Sequence, residues 1–194
     1  CNQAGWSGVM SLPRVMTIDD EARLVSIPAP ELESLRDMHH HIEQITVEPE
    51  KSGYISDISG DALEIAVQFT VGEAAAFGLS LRRSPDGQEE TRVFYDTIAQ
   101  RLVINRRRSS LSTTVRRDTI HAPLPIERGS TLNLRIFVDR SVIEVYADSG
   151  RTVMTARIYP TRADSTGIDL FSDGDVTVID TLDVWTMKAI WPIR

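Results

Sequence analysis

Between Leu132 and Asp139 the chain alternates: Leu132, Leu134, Ile136 and Val138 fall on one side, Asn133, Arg135, Phe137 and Asp139 on the other. A period of two is that of a strand with one buried face. Arg140-Ser141 interrupts the pattern and Val142 to Ala147 resumes it. With Arg140-Ser141 as a two-residue turn, Val138 faces Ile143, Ile136 faces Val145 and Leu134 faces Ala147. These residues make one inward apolar face and leave Arg135, Phe137, Glu144 and Tyr146 on the outer one. Asp148-Ser149-Gly150 reads as the next turn, with Gly150 free to take positive φ. A third strand follows over 151–159, ended by Pro160, so the segment predicts an antiparallel meander.

The same reading extends along the chain. Trp6 to Leu12 and Arg23 to Ile27 read as two short strands, with Asp19-Asp20-Glu21 as the turn between them. Pro28-Ala29-Pro30 breaks the pattern, and 31–41 predicts a short helix: Pro30 precedes it, Glu31 and Glu33 lie in its first turn, and Leu32, Leu35 and Met38 share a face. Further strands are expected at 44–48, 62–71, 75–83, 91–96, 101–106, 166–172 and 175–188, the last of them long and bulged. Turn signals at Ser84-Pro85-Asp86-Gly87, Gly129-Ser130 and Asp173-Gly174 separate them. Many short strands at regular spacing predict an all-β fold, a two-sheet antiparallel sandwich of the jelly-roll, concanavalin-like kind.

The 194 residues suffice for one sizeable core, or one domain plus an appendage. A net charge of −7 argues against nucleic-acid binding through a general basic field, and Arg106-Arg107-Arg108 and Arg116-Arg117 read as solvated strand ends. No apolar run approaches the ~20 residues of a membrane helix, so no membrane partner is expected. No signal-peptide pattern is read, and the compartment, secreted or cytoplasmic, stays open. Cys1 is the sole cysteine, which leaves no disulfide framework and no thiolate metal site. A lipidated cysteine begins bacterial lipoproteins, but GWSGVMSLPR follows almost at once without a polar tether, which favours a fragment boundary.

Asp139 and Glu144 invite comparison with the paired carboxylates of glycosidases, which stand about 5–10 Å apart. Their positions favour structural roles: Asp139 at a turn, bonding local backbone, and Glu144 diagonal to Arg135 as a cross-strand ion pair. His39-His40-His41 with Glu43 is the one histidine cluster. Three successive histidines on a helix point in three directions, so no metal site is expected. There is no G-x-S-x-G elbow, no G-x-G-x-x-G and no P-loop, so neither a nucleophilic triad nor a cofactor is expected. Sugar recognition stays open. Trp6, Trp185, Trp191, Tyr54, Phe94, Tyr95 and Tyr146 are available rings, and Phe137, Tyr146 and Trp185 are the candidate carbohydrate-binding residues. The competing reading has another domain covering these rings.

Several spaced motifs resemble the C-terminal β-sandwich module of glycoside hydrolase family 32, the β-fructosidases: levanases, inulinases, invertases and sucrose-6-phosphate hydrolases. They are LRIFVDRSVIEVY (134–146), GRTVMTARIYP (150–160), GIDLFS (167–172) and LDVWTMKAIW (182–191), supported by FGLSLR (77–82), YDTIAQRLVIN (95–105) and Ala122-Pro123-Leu124. GWSGVMSLPR (5–14) and PAPELESLR (28–36) resemble the last strands of the family's five-bladed propeller and the linker after it. The resemblance therefore implies terminal propeller strands over 1–27, a linker over 28–43 and the sandwich over 44–194. It also implies a catalytic propeller as partner, with a fructan ligand and a homodimer as further options. The family's catalytic carboxylates sit in W-M-N-D-P-N-G-like, R-D-P and E-C motifs; none is present, Arg36-Asp37 being followed by Met38. No catalytic residue can be carried over, and the chain is expected to be inactive alone.

Overall fold

The alternating segments close into two antiparallel sheets in the computed structural model, which describes residues 8–190. Cys1, Trp6 and Trp191 lie outside the described residues. A hairpin of β1 (Arg14–Ile18) and β2 (Leu24–Pro28) comes first and, among the described residues, pairs with no other strand. A 3₁₀ turn over Pro30–Leu35 leads into β3 (Arg36–Val47). The strands β4 (Ala62–Thr70), β5 (Ala76–Arg83), β6 (Thr91–Asp96), β7 (Arg101–Asn105), β8 (Ile120–Pro123) and β9 (Thr131–Asp139) follow. Then come β10 (Val142–Ala147), β11 (Thr152–Arg157), β12 (Gly167–Asp173) and β13 (Thr177–Met187). One sheet has the order β11-β10-β9-β4-β13-β3, the other β12-β5-β6-β7-β8.

Each sheet turns its apolar face to the other. Leu63, Ile65, Val67 and Phe69 of β4 and Leu132, Leu134, Ile136 and Val138 of β9 meet Phe77, Leu79 and Leu81 of β5 and Leu102 and Ile104 of β7 in one buried cluster. Each fully buried large side chain of this kind contributes about 1.5–3 kcal/mol relative to exposure. The observed register pairs Val138 with Ile143, Ile136 with Val145 and Leu134 with Ala147, as the alternation predicts. The final strand shifts register between Ile179 and Thr181 and again between Trp185 and Met187, the irregularity expected of it.

Three expectations are corrected. Among the described residues the first strand is Arg14–Ile18; the strand expected over Trp6 to Leu12 begins outside them, and 8–12 form no strand. The expected helix over 31–41 is a single 3₁₀ turn, and 36–47 is an edge strand paired along its length with β13. Leu32 is buried and Leu35 packs beside it, but Met38 is 62% exposed, so the three do not share one packed helical face. A free edge strand tolerates the polar run from Arg36 to Glu43 because only one of its backbone edges needs a partner. Finally, β8 was not among the expected strands; it is short, ends at Pro123 and forms the other sheet's edge, where proline is tolerated.

Candidate functional site

The outer face of the six-stranded sheet carries all three of the nominated rings. Backbone pairing aligns Glu144, Phe137, Glu64, Trp185 and His39 in one row across five strands, and Tyr146, Arg135, Ala66, Asp183 and His41 in the next. Phe137 and Tyr146 are each only 4% exposed, meeting edge to face with centroids 6.1 Å apart. Leu12, Leu32, Leu35, Val153 and Met187 pack around them. The chain's own N-terminal segment thus covers the two rings, leaving no open face for a sugar. Trp185 is partly exposed, but the Arg36 guanidinium lies 4.0 Å above its ring and His39 stacks on it at 4.6 Å and 6°.

Glu144 is not the partner of Arg135. Its buried carboxylate pairs with Arg14 and accepts a 2.6 Å hydrogen bond from the Leu12 backbone N–H and one of 3.1 Å from the Tyr146 hydroxyl. The Tyr146 hydroxyl in turn accepts from Arg14 Nε at 3.0 Å. Burial, reinforced by the neighbouring Glu144 charge, pushes the Tyr146 phenol up to about 12, so it stays a donor. Arg135 instead donates to the fully buried Glu64 at 2.7 Å, and Arg36 grips the same carboxylate with two bonds of 2.9 and 2.7 Å. Each of these buried carboxylates is thus met by donors from the protein itself, including at least one guanidinium.

Strand geometry also changes the histidine cluster. Alternation puts His39 and His41 on one face of β3, where His39 Nε2 and His41 Nδ1 each lie 2.7 Å from Asp183 Oδ1. The ligand atoms of these three residues lie within 4.8 Å of one another, and His41 Nε2 reaches Glu43 Oε1 at 3.0 Å. The helix geometry on which the expectation of no metal site rested is therefore absent. The hydrogen bonds to Glu43 and Asp183 raise the His41 pKa above its ordinary 6.5.

The other sheet holds a feature that the sequence reading did not assemble. Its outer face is a groove of about 580 Å³. Its middle row reads Phe171, Gly78, Phe94 and Val103 across β12, β5, β6 and β7, flanked by Asp169, Ser80, Arg92 and Asn105 on one side and Asp173, Ala76, Asp96 and Arg101 on the other. Strand β5 thus contributes Ala76, Gly78 and Ser80 to this face. A Cβ at Gly78 would stand 2.2 Å from the Val93 carbonyl oxygen, so no larger residue fits there. Phe94 and Phe171 approach edge to face over the glycine, centroids 5.9 Å apart, and the Arg92 guanidinium lies 4.6 Å over the Phe171 ring. The alternation of small and aromatic residues on β5, β6 and β12 is present in the sequence, but only the strand order brings them side by side.

Residues 31–186 match the sequence model described as "Glycosyl hydrolases family 32 C terminal". The chain is 32% identical over 196 residues to a levanase of Bacillus subtilis (strain 168), covering 96% of this chain and 28% of that protein. It is 29% identical to a sucrose-6-phosphate hydrolase of Escherichia coli, covering 94% of this chain and 35% of the relative. The exo-inulinase of Aspergillus awamori superposes with a TM-score of 0.77 at 26% identity, over 93% of this chain and 36% of that one. Fructan 1-exohydrolase IIa of Cichorium intybus shares the fold with a TM-score of 0.84 at 22% identity, over 96% and 42% of the two chains. The chain spans about a third of the length of these curated relatives. It belongs to the C-terminal β-sandwich family of the family 32 glycosyl hydrolases.

Proposed function

We propose that the chain is the non-catalytic C-terminal module of a fructan- or sucrose-cleaving hydrolase, and that it stabilises the catalytic propeller and shapes the rim of its cleft. The observation that carries this reading is the β1–β2 hairpin. It is fastened to the sandwich through Arg14, Glu144 and Tyr146 and through Arg151, whose Nε donates to Asp19 at 2.8 Å. Yet Val15, Met16, Ile18, Leu24 and Ile27 remain exposed on it. A rigidly held apolar surface whose strand edges are unpaired among the described residues is a docking surface, and a propeller blade completed by these strands would cover both. The relatives' names, levanase, sucrose-6-phosphate hydrolase and exo-inulinase, supply the substrate class.

The test is to assay the chain alone, and with the separately produced propeller of the same parent, on sucrose, levan and inulin. The chain alone is expected to release no fructose, and its addition to raise the propeller's melting temperature. Fructose release by the chain alone, or a propeller indifferent to it, would overturn the reading.

A further inference from the structure

We propose that the outer face of the five-stranded sheet is a binding groove for a neutral fructosyl chain. Its volume of about 580 Å³ falls within the roughly 300–1,000 Å³ typical of small-molecule sites. Phe94 and Phe171 meet edge to face over the covered Gly78 and form an aromatic strip, with the small side chains of Ala76 and Ser80 at its two sides. Such a trough offers an apolar strip with polar rows along both edges. A sugar has the complementary build, C–H faces that pack on aromatic rings and hydroxyls around the rim.

The polar rows suit hydroxyls better than phosphate. Four cationic and five acidic side chains line the groove, so it has no excess of positive charge for an anion. Guanidinium, amide and carboxylate groups donate to or accept from hydroxyls in pairs. Arg92 is held for this work from two sides: its Nε is 2.9 Å from Glu90, which is 4% exposed, and its guanidinium rests on Phe171. Asp169 has a different task. It accepts from the backbone N–H groups of Gly53 at 2.7 Å and Tyr54 at 3.0 Å and thereby fixes the 50–54 loop as an end wall.

The groove and the hairpin occupy different sheets, since the hairpin packs against β11 and the 3₁₀ turn at Asp148–Gly150. A module docked through the hairpin therefore keeps the groove open. The sugar chemistry follows from the groove; the choice of fructosyl units rests on the function proposed above.

The test is an isotope-labelled NMR titration of the full chain with inulin-type and levan-type oligosaccharides, with gluco-oligosaccharides and inorganic phosphate as comparison ligands. Saturable shifts clustered around Phe94, Phe171 and Asn105 are expected with the fructosyl ligands. Phe171→Ala and Arg92→Gln should each weaken binding by about tenfold. Asn105→Ala, at a partly exposed position, should weaken it less and guards against a misfolded Phe171 variant. Absence of saturable shifts, shifts confined to other surfaces, or preference for phosphate would overturn the proposal. Binding of gluco-oligosaccharides alone would keep the groove as a sugar site and overturn its fructosyl assignment, without touching the docking role of the hairpin.

Discussion

Arg14 on β1 pairs with the buried carboxylate of Glu144 on β10, a residue 130 positions further along the chain. This pair fastens the N-terminal hairpin to the sandwich. Arg14→Ala leaves a 2%-exposed carboxylate without its countercharge, at a cost of roughly 3 kcal/mol. Urea unfolding should show that loss. Hydrogen exchange should quicken in β1 and β2 while β4 and β5 keep their protection relative to global unfolding.

Gly150 provides a steric route to the same joint. Its φ is +90°, and an added Cβ would stand 2.6 Å from the Ser26 carbonyl oxygen and 2.8 Å from Ile27 Cγ2. Gly150→Ala should therefore cost about 2 kcal/mol or more through backbone strain and displacement of β2. A thermal midpoint unchanged from the parent chain would refute this.

Glu89 should govern acid stability. It is fully buried, and burial alone would raise its pKa; bonds from Thr161 and Ser165, with the backbone N–H groups of Thr161 and Leu111, outweigh that and hold it at about 2 against an ordinary 4.5. A depressed folded pKa means the stabilisation is fully present above the ordinary value and is lost as pH falls from about 4.5 to about 2. The loss amounts to roughly 3 kcal/mol. Glu89→Gln should flatten the stability profile across that window, as urea titrations at several pH values would show.

The His41 imidazole should titrate above 6.5, because Glu43 and Asp183 both hold its protonated form. A raised folded pKa means its contribution to stability is present below the unfolded value and fades as pH rises through the folded one. Proton NMR of the imidazole should show a midpoint above 6.5 in the parent chain, moving down in Glu43→Gln and in Asp183→Asn.

Met16→Asp with Ile18→Asp distinguishes docking from folding. Both residues are two-thirds exposed, at 68% and 66%, so the isolated chain should lose no more than about 0.5 kcal/mol. Association with the propeller, followed by sedimentation, should be abolished.

The sequence makes the sandwich readable wherever alternation is strict, and the Leu134–Val138 and Val142–Ala147 register follows from it residue by residue. It misleads where a strand is solvated. The spacing of Leu32, Leu35 and Met38 fits a helix, whereas the order of His39, His40 and His41 fits a strand equally well; only pairing with β13 decides between them. Ion-pair partners are likewise illegible, because Arg14 and Glu64 reach Glu144 and Arg135 from distant parts of the chain. The groove is hidden for the same reason, since Phe94 and Phe171 become neighbours only through the order β12-β5-β6.

The pairing of β3 with β13 has a mechanical consequence. Arg36 stands opposite Met187, and the Lys188 N–H bonds the Leu35 carbonyl oxygen at 2.8 Å. The chain thus enters and leaves the sandwich side by side. A pull applied at Arg36 and Lys188 would load the hydrogen bonds between these antiparallel strands one after another rather than all at once. Tension should peel β3 away first, at low force, while the interdigitated core between the two sheets still holds.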